Sequence, residues 1–112
     1  MTGLEVNFLF VSDIEIRRFN RRYLHHDRTT DVIAFPMKEA GILGDILISS
    51  DTAKRQAREE GHSLLTELTI LAIHGILHLI GYRDDTKKER ERMWRKKREL
   101  LNFSFRSATS DC

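Results

Sequence analysis

Apolar and polar positions alternate at the start of the chain, where Leu4, Val6, Phe8 and Phe10 are separated by Glu5, Asn7 and Leu9. A period of two is that of a strand. Ser12 follows as an N-cap with Glu15 three residues on, a capping box that opens a helix through about Tyr23. HHDRTT is a polar connector, and DVIAFP reads as a second strand, rich in β-formers and closed by Pro36, the single proline. MKEAGILG is expected to be a loop, and GDILISSD a third strand with Ile46 and Ile48 on one face and Leu47 on the other. Three helical stretches come next. The first is polar, from Thr52 to Glu60, and stops at Gly61. The second, capped by Ser63, is apolar nearly all round until Gly81, the mark of a buried helix. The third opens on a capping box of Thr86 and Glu89 and ends near Leu101. The final residues, from about 103 to 112, lack periodicity and are expected to fray, with Phe103 and Phe105 able to dock on the core.

The order βαββααα, without repeats or an interdomain linker, predicts one domain over residues 1–112. Its class is expected to be α+β or three-layer, with an almost wholly buried central helix. No apolar run approaches the ~20 residues that cross a bilayer, so no membrane partner is expected. The first residues carry no basic segment and no small-residue cleavage site, so a reducing, cytoplasmic location is expected. Cys112, the only cysteine, excludes an internal disulfide framework and a thiolate metal cluster. Net charge is +2, yet between Thr86 and Leu101 eight Lys or Arg stand against three Glu. Either a polyanion partner or a solvated helix face explains that excess.

Chemistry concentrates in HGILHLIGYRDD, residues 74–85. On a helix, residues four apart lie on one face about 6 Å from each other, so His74 and His78 can reach one ion. Two imidazoles buried without partners would cost several kcal/mol, a cost that a divalent cation offsets directly. Gly81 can end the helix with a positive φ and fold the chain back, which brings Asp84 toward the same ion. The pattern is HxxxHxxGxxD. Asp85 is the adjacent alternative, or it helps cap the next helix. Three protein ligands leave a fourth position for water, whose pKa falls to about 7 on zinc. Gly75 stands where HExxH peptidases keep their general base, which disfavours a standard zinc peptidase. A metallopeptidase would need Glu67 or Asp45 as base; the plainer roles are a solvated helix position for Glu67 and a strand-entry turn for Asp45.

The same residues resemble the HGxLHLxGYDH signature of the YbeY endoribonuclease family, bacterial and organellar rRNA maturation factors. FNRRYLHHDRTTDVIAFP resembles the family's LNxxYRxxDxPTDVLSFP, and LGDILIS its LGDIxIs strand, all in one order from about Val6 to Met93. The resemblance implies an α+β fold, a small mixed sheet packed against helices with a central buried metal-binding helix in a metalloprotease-like three-layer architecture, and one zinc ion, or another divalent transition metal, held by three side chains. It also implies single-strand-specific cleavage of RNA in small-subunit rRNA 3′-end maturation and ribosome quality control. The partners implied are single-stranded rRNA and the small ribosomal subunit or its assembly factors. His74 and His78 carry over as ligands; the third family ligand is His, where this chain has Asp84. Arg83 stands where the family has Asp, Leu24 where it has a phosphate-engaging Arg, Ala34 for its Ser and Thr29 for its Pro. Arg28, with His25 and His26, can stand in for the missing arginine, although a plain exposed loop also explains the two histidines. Arg17, Arg18, Arg21 and Arg22 on the first helix, Arg83, and Lys87 and Arg90 on the last are candidates to guide the RNA backbone. Trp94 can stack a base, but beside Met93 it is more readily explained as core. Relatives also carry a strand and helix ahead of the matched region, which implies an exposed sheet edge here. The alternative to an enzyme is a noncatalytic ribosome-associated module that keeps the fold.

Overall fold

The structure is a computed structural model that describes residues 5–39 and 41–110. Leu4 and Cys112 lie outside the described residues, as do the side chains of Phe103 and Phe105. Seven elements follow one another: β1 (Glu5–Val11), α1 (Asp13–Leu24), β2 (Val32–Glu39), β3 (Ile42–Ser49), α2 (Ser50–Glu60), α3 (Leu64–Leu79) and α4 (Lys87–Ser110). The three strands form a mixed sheet in the order β1-β3-β2, with β1 parallel and β2 antiparallel to β3.

Period-two alternation along β3 decides what each face of the sheet covers. Ile46 and Ile48 pack with Ala53 of α2 and with Leu71 and Leu79 of α3. Leu47 points the other way, to Ile33 of β2 and to Ile16 of α1. Helices therefore cover both faces of the central strand, and α3 is pressed against the sheet. Gly75 makes that approach possible: a Cβ there would stand 2.8 Å from Ile46 Cγ2, and Ile46 is fully buried.

The helix boundaries follow local chemistry. Ser12 accepts from the Glu15 amide and Glu15 Oε1 accepts from the Ser12 amide, the expected reciprocal pair. Thr86 and Glu89 repeat it at the start of α4. Gly61 closes α2 in the left-handed region. Three boundaries differ from expectation. Ser50 and Asp51, expected to close the third strand, instead open α2, which Ser49 caps. β2 does not stop at Pro36 but continues to Glu39 and turns directly into β3, so the expected loop is mostly hairpin. Its place at the sheet edge explains the tolerance: a proline lacks a donor that only a strand on that side would need, and a register irregularity follows Pro36. α4 runs to Ser110, past the expected end near Leu101.

β1 forms the other edge of the described sheet and leaves Phe8, Leu9 and Phe10 exposed. Among the described residues, no single helix is long and apolar enough to cross a membrane.

Candidate metal centre

Gly81 adopts φ +105° immediately beyond α3, and its amide donates to the His78 carbonyl while that of Tyr82 donates to Leu77. This turn reverses the chain and returns Asp84 to the end of the helix. His74 Nε2 and His78 Nε2 are 3.1 Å apart, and His78 Nε2 lies 3.8 Å from Asp84 Oδ2. Ligand atoms on a tetrahedral ion at about 2.0 to 2.1 Å stand roughly 3.4 Å from one another. The two distances bracket that value, and one atom from each of the three side chains lies within 4.8 Å of the others. The cluster can bind a divalent metal.

Burial keeps the first ligand unprotonated. Burial first, then the charge of Lys97 and the neighbouring His78, holds the His74 pKa down to about 4. Its imidazole is thus neutral at neutral pH, the form that coordinates a cation. Asp85 is not a ligand here: its carboxylate accepts from Arg83 Nη2 at 2.6 Å, and Thr86 rather than Asp85 caps α4.

Two clefts meet at these ligands. The first, of about 400 Å³, is lined by His74, His78 and Asp84 together with Leu24, His26, Arg28 and Asp31. The connector that supplies Arg28 is held by Asn20, a buried amide of α1 that donates from Nδ2 to the Arg28 carbonyl at 2.9 Å. Leu24 opens directly onto this cleft. The second cleft, between α3 and α4, is lined by His74, Asp84, Arg90, Met93, Trp94 and Lys97.

Among the expected RNA-guiding residues, Arg28 and Arg90 reach these clefts. Arg90 also donates to the Asp84 carbonyl at 3.3 Å, which ties the ligand loop to α4. Arg17 is engaged with Asp27 at 2.9 Å and Arg83 with Asp85, while Arg18, Arg21, Arg22 and Lys87 are exposed away from the cluster's lining. Three expectations need correction. Trp94 is not core: it is 57% exposed, whereas Met93 is buried. Glu67 is not solvated but 5% exposed, with Oε1 2.6 Å from His62 Nε2. Asp45 is not at a strand entry; it sits within β3 and accepts from Asn7 at 3.0 Å, in a cleft of the sheet's α1 side.

Lys97 went unnoticed in the sequence. Its Nζ is 3.3 Å from His74 Nδ1, and burial pushes the lysine's pKa down. An ammonium can only donate, so this contact leaves the His74 hydrogen on Nε2, facing His78. The signal for it was present: Glu89, Met93, Lys97 and Leu101, spaced four apart, share one stripe of α4 and are buried or half-buried.

The family model described as Endoribonuclease YbeY matches residues 1–104. The chain belongs to the YbeY endoribonuclease family. An Endoribonuclease YbeY of Bacillus velezensis is 45% identical over 111 residues, which cover 88% of this chain and 71% of that protein. One from Aquifex aeolicus is 46% identical over 107 residues, 92% of this chain and 69% of that relative. The solution structure of TM1509 from Thermotoga maritima superposes with a TM-score of 0.59 at 34% identity, covering 98% of this chain and 76% of that one. Among the described residues of this YbeY-family chain, His74, His78 and Asp84 form the group of side chains that could hold a metal ion.

Proposed function

We propose that this protein is a metal-dependent, single-strand-specific endoribonuclease of small-subunit rRNA maturation, working on the 3′ end and in ribosome quality control. The observation that carries the reading is the convergence of His74, His78 and Asp84 at the junction of two clefts, in a chain of the YbeY family. These three residues would hold one zinc ion or a similar divalent cation. Such an ion supplies Lewis-acid stabilisation of phosphoryl charge and a more acidic water.

The chain's own residues do the rest. Arg28 and His26, which line the same cleft as the ligands, hold the phosphate in place of the family arginine that Leu24 replaces; a guanidinium contact of this kind contributes about 1.5 to 3 kcal/mol. Asn20 keeps the connector, and with it Arg28, at the cleft. Arg90 fixes the Asp84 loop and adds positive charge along the strand's path. Exposed Arg17, Arg18, Arg21, Arg22 and Lys87 draw the polyanion in without selecting sequence, so binding weakens steeply with salt. We read the fold as one domain in the metalloprotease-like three-layer class, supported by helices on both sides of β3. The location proposed is cytoplasmic, and the partner is the small ribosomal subunit or one of its assembly factors.

Leu24 is the observation that favours a noncatalytic ribosome-associated module instead, since it places an apolar side chain where a phosphate should sit. A metallopeptidase has no support: Glu67 is engaged by His62, and Asp45 lies on the far face of the sheet. Metal-loaded protein should cut unstructured RNA and spare duplex, and His74→Ala should abolish turnover with the far-UV circular dichroism unchanged. Tight RNA binding with no turnover in freshly metallated protein would establish the module.

A further inference from the structure

Trp94 is the largest exposed aromatic beside the metal centre, and folding does not account for it. Its neighbour Met93 takes the inward position on α4, while the indole, 57% exposed, stands between two hollows. One is the cleft it shares with His74 and Asp84. The other lies farther along α4, lined by Ile70, Lys97, Arg98 and Leu101. Arg98 sits on that second side with its guanidinium carbon 5.3 Å from the ring centre. An arginine over one face of an indole stiffens the ring and makes a cationic backing. Lys97 and Arg90 put further positive charge on either side of it.

An exposed, backed aromatic ring in a basic groove is the arrangement that binds single-stranded nucleic acid: the cations follow the backbone and the ring takes a base. We infer that Trp94, backed by Arg98, is a nucleobase-stacking subsite that holds an unpaired base of the RNA strand next to the cut phosphate. This rests on the endoribonuclease reading and deepens it. The Arg28 cleft and the α3/α4 cleft share His74 and Asp84, so a strand crossing the ligands from one enters the other, where Trp94 is the aromatic side chain of the lining. Stacking needs a base free of its partner, so the subsite also contributes to preference for single strands. The commitment is to RNA rather than protein because the charge around the ring is positive on α4, where eight Lys or Arg face three Glu between residues 86 and 101.

Trp94 is the only tryptophan of the chain, so its fluorescence reports the subsite directly. Metal-loaded protein should be titrated with a 2′-O-methyl single-stranded 12-mer, verified to stay uncut, and with a duplex of equal length. Quenching by the single strand and not by the duplex is expected. Trp94→Ala should weaken binding of that 12-mer roughly 5- to 150-fold, measured by anisotropy of a labelled oligonucleotide, while Trp94→Phe retains most of the affinity. On a cleavable RNA, Trp94→Ala should raise KM more than it lowers kcat. A scan with single abasic nucleotides should find one position, flanking the cut, whose loss weakens wild type and is silent in Trp94→Ala. Equal quenching by duplex, unchanged affinity in Trp94→Ala, or no such position overturns the subsite even if the RNA is still cut. Unchanged RNA affinity with lost binding to purified ribosomal proteins would assign the ring to a protein contact and overturn it as well. Absence of both RNA binding and cleavage in wild type would instead remove the endoribonuclease reading on which it rests.

Discussion

His74 has two nitrogens with competing obligations, and Lys97 decides between them. Nε2 must be free of hydrogen to take a cation, which puts the hydrogen on Nδ1, where an acceptor should receive it; metal-bound histidines usually have a carboxylate or carbonyl there. Lys97 offers a donor at 3.3 Å instead. If the cluster takes a cation through Nε2, the lysine's donor contact has to give way. Lys97→Gln supplies an amide oxygen that accepts from Nδ1 and removes the positive charge. It is expected to tighten zinc binding about tenfold, the scale of such outer-partner changes, as read by competition with a chromophoric chelator. Looser binding in this variant would mean that Lys97 supports the site as it stands. Asp84, by contrast, adds a negative charge where YbeY relatives are expected to have a neutral imidazole, so Lys97 and Asp84 offset each other across the cluster.

Elements are joined by a second polar cluster, which contains none of the ligands. Asp13, the first residue of α1, accepts from Ser49 Oγ and Thr52 Oγ1 at 2.6 Å each and from Arg55 Nη1 at 2.8 Å, which fastens the start of α1 to the start of α2. The hydroxyls of Ser49 and Thr52, and then Arg55, hold its carboxyl at about 2, below the ordinary 3.8. A depressed carboxyl binds fewer protons folded than unfolded, so its contribution is complete above about 3.8 and is lost as pH falls toward 2. Asp13→Asn is expected to lower stability at neutral pH by about 1 to 3 kcal/mol and to flatten the acid limb of the stability curve, as measured by urea unfolding between pH 2 and 7. An unchanged acid limb would contradict the assignment. Such clusters are invisible to local pattern, because Asp13 and Thr52 meet only when the helices dock. Capping boxes at Ser12 and Thr86, by contrast, and the stop at Gly61 were legible: their partners lie within one turn. β2 beyond Pro36 was missed for the same reason as the Asp13 cluster, since only its edge position in the sheet excuses the proline.

For the molecule as a whole, sheet and helices serve to carry α3 against β3, with Gly75 allowing contact on Ile46 and Gly81 turning Asp84 back. The motif that builds the site was legible because its spacing is helical and its turn is local. What surrounds the site was not. Glu67 reads as a surface residue until His62 arrives from the α2–α3 turn, and Trp94 reads as core until Met93 claims the inward position one residue earlier, about 100° round the helix. The proposed function depends on a single cation at the meeting of α3 and its returning turn. Elemental analysis of untagged protein purified without chelators tests this most directly, with His74→Ala, His78→Ala and Asp84→Ala beside it and circular dichroism to verify folding. About one divalent transition-metal ion per chain in wild type, and little or none in the three folded variants, is the predicted result. A metal-free wild type that takes up no zinc when it is offered, or variants that retain a full equivalent, would contradict it.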